Sequence, residues 1–222
     1  MHGVGSRNKL TRSHARLYPG DGTLDVLGRA VCAAERLPRK ELHEAWEMAA
    51  RITPLTITSG CTRVVDLCCG FGVLAQVLLL VDDCLAHASA VCVDVDLPAN
   101  HGRVHQALAA AFPALTDRVA FVQSPLARVP IYARDLVVSA HACGSLSDDV
   151  MARAVDAGAH VAVLPCCHEF RYRADLVDVA DPAGAIDDER RERLTQLGYR
   201  VSIASIPAEV SPKNRVLLGS PR

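Results

Sequence analysis

The sequence predicts an α/β fold: a seven-stranded, mostly parallel sheet with helices on both faces and a C-terminal antiparallel hairpin. Three observations predict it. Short β-branched runs recur at 64–67 (VVDL), 90–95 (AVCVDV), 119–123 (VAFVQ), 135–139 (DLVVS) and 160–164 (HVAVL), with helix-compatible stretches between several of them. The tail then breaks the alternation, because LGYRVSIASIPAEVSPKNRVLLGS offers strands at 200–206 and 214–219 joined by a polar turn with two prolines. Finally, VVDLCCGFGVLA at 64–75 reads as a buried strand, a glycine-containing turn and a helix.

A chain of 222 residues fits one domain with one core. Half of it is hydrophobic, which rules out global disorder. Residues 1–60 read as a helical and basic segment capping the site, and residues 61–222 as the cofactor-binding domain. In the first segment Arg7, Lys9, Arg12 and Arg16 run up to a YPGDG turn that begins at Tyr18, and these residues form a lid, a phosphate contact or a solvated tail. Two helical patterns follow, 23–37 and 39–52, divided by Pro38. Another runs through PANHGRVHQALAAAF, 98–112. After the fourth strand, Ser147 is positioned to cap DDVMARAVDA, Asp148 and Asp149 suit its first turn, and Gly158 closes it.

The net charge of −1 gives the whole protein no electrostatic pull on polyanions, so nucleic acid would need a local basic patch. With four Tyr and one Trp, stacking platforms for single-stranded RNA are scarce. Nine cysteines include two adjacent pairs, Cys68–Cys69 and Cys166–Cys167, a poor geometry for ordinary bridging. The first residues lack a secretory apolar stretch, and no run approaches the roughly 18 apolar residues of a membrane helix. The expectation is a reduced, cytoplasmic protein without a membrane partner. The residues assign no oligomeric state.

In open parallel sheets, ligands sit beyond the carboxyl ends of the strands, where strand order reverses. The turn after the first strand is that place. Gly70 and Gly72 let backbone approach a ligand closely, and Asp94, ending the second strand, is placed to accept hydrogen bonds from both hydroxyls of a ribose. GFGVLA also satisfies a dinucleotide pattern. Against a dinucleotide stands Asp66, whose carboxylate would repel a pyrophosphate, whereas S-adenosylmethionine (SAM) carries an ammonium and a sulfonium. A bare structural turn would leave both aspartates unexplained.

These residues resemble the class I SAM-dependent methyltransferases, Rossmann-like enzymes. VVDLCCGFG is similar to their first motif, an acidic residue followed by three glycines at alternate positions; Asp66, Gly70 and Gly72 match, and Cys68 replaces the first glycine. AVCVDVDLPA matches the second motif, with Asp94 in the ribose position. More narrowly, SAHACGSLSDDVMARAV, HVAVLPCCHEF and VSPKNRVLLGS resemble the methyltransferase domain of the eukaryotic tRNA 2′-O-methyltransferases over about residues 60–220. Those enzymes carry a CCHH stretch where this chain has Glu169 in place of the second histidine, and zinc fingers that it lacks.

The ends of strands four and five gather His141, Cys143, Cys166, Cys167, His168 and Glu169. Four readings compete. His168 is a base for a hydroxyl acceptor, with Glu169 orienting it and His141 shaping the pocket. The thiols and histidines bind a metal, although adjacent cysteines rarely chelate one ion. Cys166, after Pro165, is a covalent nucleophile. Or the cysteines simply pack. The reading kept places catalysis on His168, His141 and Cys166, binds SAM through Asp66, Cys68, Gly70, Gly72, Asp94 and Ala140, and assigns no metal ligands. The methyl acceptor is an RNA or a small molecule with a hydroxyl or amine. The alternatives are a SAM-binding protein without turnover, acting through a partner, and a dinucleotide-binding protein.

Overall fold

The central strands are buried almost throughout, and their successive side chains divide between two cores, one on each face of one sheet. In this computed structural model, which describes residues 3–57, 59–170 and 173–222, the strands are β1 (Arg63–Leu67), β2 (Ser89–Asp94), β3 (Val119–Gln123), β4 (Asp135–Ser139), β5 (His160–Val163), β6 (Tyr199–Ser205) and β7 (Arg215–Pro221). The helices are α1 (Thr23–Ala34), α2 (Arg39–Thr56), α3 (Val73–Val81), α4 (His101–Ala111), α5 (Leu146–Ala157) and α6 (Pro182–Gln196). Val64, Leu136, Val138, Ala162 and Leu218 face α1 to α4. Val65, Leu67, Val137, Val161 and Leu217 face α5 and α6. This is the two-residue period of a sheet covered on both sides.

The strand order is β3-β2-β1-β4-β5-β7-β6. The first five strands pair in parallel, whereas β7 pairs antiparallel with both β5 and β6. The predicted sheet and hairpin are therefore present. Order reverses at β1, which has β2 on one side and β4 on the other, so a crevice opens at their carboxyl ends.

One local expectation needs correction. Ser147 does not cap α5: the helix begins at Leu146 after Ser145, and the buried Ser147 hydroxyl donates to the Ala142 carbonyl at 2.6 Å. Gly158 does close that helix, at φ 63°. Helix α6 carries no helical signal in the sequence, because its buried face includes Asp187 and Arg190 rather than an apolar stripe. The N-terminal segment is tied into the fold, since Tyr18 is buried and its hydroxyl meets His43 Nε2 at 3.3 Å. No described helix is long and apolar enough to cross a membrane.

Candidate active site

The turn after β1 takes positive φ at three alternate residues: Cys68 at 57°, Gly70 at 52° and Gly72 at 65°. This explains the spacing of the motif, since the left-handed region suits glycine. Cys68 adopts it with a side chain, at a cost of about 1–2 kcal/mol. The two glycines differ in purpose. A Cβ on Gly70 would meet nothing within 4 Å. A Cβ on Gly72 would lie 2.8 Å from both Cys92 Sγ and Phe121 Cε1. Gly72 thus serves the packing of the strand–helix turn, and it is not among the residues that bound the cleft beyond it.

The turn is fastened to the end of β2. Cys69 N–H donates to the Val93 carbonyl at 3.0 Å. Asp94 Oδ2 accepts the Gly70 N–H at 3.0 Å, and Asp94 Oδ1 accepts the Asp96 N–H at 3.2 Å. Each oxygen keeps a lone pair for a further donor.

Beyond this turn lies a cleft of about 500 Å³, with Gly70, Asp94, Val95, Leu126, His141 and Cys143 among its walls. Its inner end is bounded by Glu41, Asp66, Cys68, Ala140 and His141. Asp66 is only 2% exposed, and its Oδ2 has one long bond, from the Ala75 N–H at 3.4 Å. Burial pushes its pKa up to about 7; the Ala75 bond opposes this and the Asp94 charge adds to it. Glu41 is also pushed up to about 7, first by burial, then by the Glu44 charge, with Lys40 opposing. Among the described residues neither Lys nor Arg lines these walls. Carboxylates without cations suit a positively charged ligand and repel a pyrophosphate.

A second cavity of about 310 Å³ adjoins the cleft, lined by Arg7, Lys40, Glu44, Cys166, Cys167 and Lys213 together with His141. His141 belongs to both spaces. Burial lowers its pKa, the Glu44 charge raises it, and Lys40 again lowers it.

His168 is elsewhere. Its Nε2 meets Asp187 Oδ1 at 2.8 Å, with both side chains 2% exposed, and its Nδ1 is buried without a partner among the described residues. It borders a separate cavity of about 130 Å³ beside Pro165, Asp187 and Arg215. The geometry therefore does not bring His168 to the cleft, and its acidic partner is Asp187, not Glu169. Cys166 lies nearer, with Sγ 3.0 Å from Cys143 Sγ.

Sequence reasoning missed Glu41, Val95 and Leu126. Glu41 had a usable signal, because it extends the helical row Ala45, Met48, Ala49 and Ile52, all buried, by one turn. Val95 lies just after β2 and Leu126 opens a single 3-10 turn after β3, where periodicity is silent.

A family model described as a methyltransferase domain matches residues 39–170. No curated protein matches the chain. An O-methyltransferase family protein from Burkholderia thailandensis is similar in structure, with a TM-score of 0.51 and 15% identity over 97% of this chain; the chain spans 65% of that structure's length. Magnesium protoporphyrin IX methyltransferase from Synechocystis, solved with SAH, gives 0.52 and 14%, covering 95% of this chain and 94% of that one. Ribosomal protein L11 methylase from Lactobacillus delbrueckii gives 0.53 and 13%, covering 79% and 77%. At such identities the likeness is one of fold.

Proposed function

The chain belongs to the family of methyltransferase domains matched over residues 39–170, and on that premise we propose that it methylates a hydroxyl of an anionic acceptor, an RNA. Its methyl donor is SAM, which the acidic, cation-free cleft fits. When bound, SAM supplies a methyl carbon activated by its sulfonium. Asp94 holds the ribose hydroxyls with the lone pairs left on its two oxygens. Asp66 and Glu41 balance the positive end, and Cys68, Gly70 and Ala140 shape the floor. Val95 and Leu126 give the adenine an apolar surface. We also assign residues 1–60 the role of a cap, through Glu41 and Arg7.

The observation that carries this reading is the position of His141 in both cavities. A hydroxyl entering from the second cavity passes this imidazole before it reaches the cleft. We therefore place the proton acceptor at His141 and give His168 the task of holding the Cys166–Cys167 loop. Arg7 and Lys213, in the wall of the second cavity, supply a local basic surface for a phosphate. The likeness of the CGSLSDD and PCCHEF stretches to tRNA 2′-O-methyltransferases points the same way. The test is incubation with labelled SAM and separated RNA and metabolite fractions. Label in the RNA ribose supports the reading; label only in small molecules overturns the acceptor.

A further inference from the structure

We propose that Cys143, Cys166 and Cys167 form a three-thiolate site for a thiophilic divalent cation, zinc in the first instance, at the rim between the two cavities. The inference rests on sulfur geometry and does not depend on the identity of the methyl acceptor. Their Sγ atoms all lie within 4.8 Å of one another. Cys143 and Cys166 are 3.0 Å apart, and Cys166 and Cys167 are 3.9 Å apart. Zinc bound tetrahedrally at about 2.3 Å per sulfur sets its ligands roughly 3.8 Å from each other. The observed separations surround that value. A disulfide would use two of these sulfurs and leave the third unexplained.

Adjacent cysteines are poor chelators in an extended chain, because their side chains diverge. Here the loop after β5 turns both sulfurs to the same side, toward Cys143 on the loop after β4. The two loops are fixed to each other and to α6. Gly144 N–H donates to the Cys167 carbonyl at 3.1 Å. Arg190 Nη2 donates to the Gly144 carbonyl at 3.1 Å, and Arg190 Nη1 donates to Asp187 Oδ1 at 3.2 Å. The same Asp187 oxygen meets His168 at 2.8 Å, one residue beyond Cys167. One Arg–Asp–His chain thus holds both ligand loops, the kind of support that orients metal ligands.

Three sulfurs favour zinc over magnesium or calcium, which take oxygen donors. Cys143 and Cys167 are exposed and Cys166 is partly exposed, so an ion can enter. Three ligands leave a fourth tetrahedral position for water or a ligand atom. Binding releases a proton from each thiol that ionises and leaves the three thiolates and the dication with a net charge of −1.

The test titrates the full-length, reduced, metal-free protein with cobalt(II) alone. One equivalent is expected to give thiolate-to-cobalt charge-transfer absorption and tetrahedral visible bands, both removed by added zinc. Cys143→Ser and Cys167→Ser, at exposed positions, are each expected to weaken binding at least tenfold. Cys84→Ser, also exposed, is expected to leave it unchanged. Circular dichroism follows the fold of each variant. The proposal is overturned if the reduced native protein gives no charge-transfer band. A band that survives replacement of all three cysteines overturns it as well. So does a Cys143–Cys166 disulfide in native protein that takes up no metal after reduction.

Discussion

His168 and Asp187 share a buried 2.8 Å contact, and Arg190 joins it from one turn further along α6. On the proposed reading, His168 is a positioning residue for the loop after β5. Asp187→Ala would strand both His168 and a nearly buried arginine, and we expect it to cost about 3–5 kcal/mol of stability. His168→Ala is expected to cost about 1–3 kcal/mol through the lost hydrogen bond. Denaturant unfolding measures both. A His168→Ala protein of unchanged stability would remove this role.

His141 should behave in the opposite way. His141→Ala is expected to lower the methylation rate by about 10²–10⁴ while SAM affinity changes by no more than a few-fold. Single-turnover kinetics with the labelled RNA fraction, paired with SAM titration, separates the two quantities. If His168→Ala loses the rate and His141→Ala keeps it, the proton acceptor is misplaced.

The three left-handed residues give a graded series. Gly72→Ala meets both a strained φ and two heavy atoms at 2.8 Å, so it should be the most destabilising, by more than about 2 kcal/mol. Gly70→Ala carries the strain alone and should cost about 1–2 kcal/mol. Cys68→Gly relieves strain but frees the unfolded chain, so we expect a change within about 1 kcal/mol. Thermal unfolding ranks them, and Gly70→Ala falling below Gly72→Ala would contradict the packing argument.

The raised carboxyls of Asp66 and Glu41 set a pH dependence. Each folded pKa, about 7, lies above its ordinary value of 3.8 or 4.5. The stability they lend is therefore fully present below pH 4 and is lost as pH rises through 7. A cationic ligand favours their charged forms, so SAM should bind several-fold more tightly at pH 8 than at pH 6, with protons released. Calorimetry in two buffers of different ionisation heat checks the sign. Proton uptake would contradict it.

Lys213→Ala should raise the KM for the RNA acceptor severalfold and reduce its salt dependence, leaving SAM affinity unchanged. Filter binding at two salt concentrations measures this. An effect on SAM alone would place Lys213 on the wrong side of His141.

The sheet was legible because its strands are runs of β-branched residues, and β1 to β5 fall within about two residues of their predicted ends. That Asp66, Cys68, Gly70, Asp94 and Ala140 lie at the cleft was legible for a related reason: a strand end followed by a turn fixes where each residue lies. Helix α6 was hidden by Asp187 and Arg190, since two buried charges that satisfy each other imitate a solvated face. Sequence adjacency pairs His168 with Glu169, whereas in the fold its carboxylate partner is Asp187, 19 residues away in α6. The nearness of Cys143 to Cys166 and Cys167 follows in sequence from the ends of strands four and five; what adjacency hides is that the loop after β5 turns both neighbouring sulfurs toward Cys143.

At the centre of the account is the proposal that the cleft lined by Gly70 and Asp94 holds an adenosyl sulfonium. Calorimetric titration of the purified chain with SAM, beside an Asp94→Ala protein and an NAD control, tests it most directly. We predict one SAM per chain, affinity reduced about 10–100-fold by the substitution, and no heat with NAD. Saturable NAD binding that SAM does not displace, or SAM binding indifferent to Asp94, would contradict it.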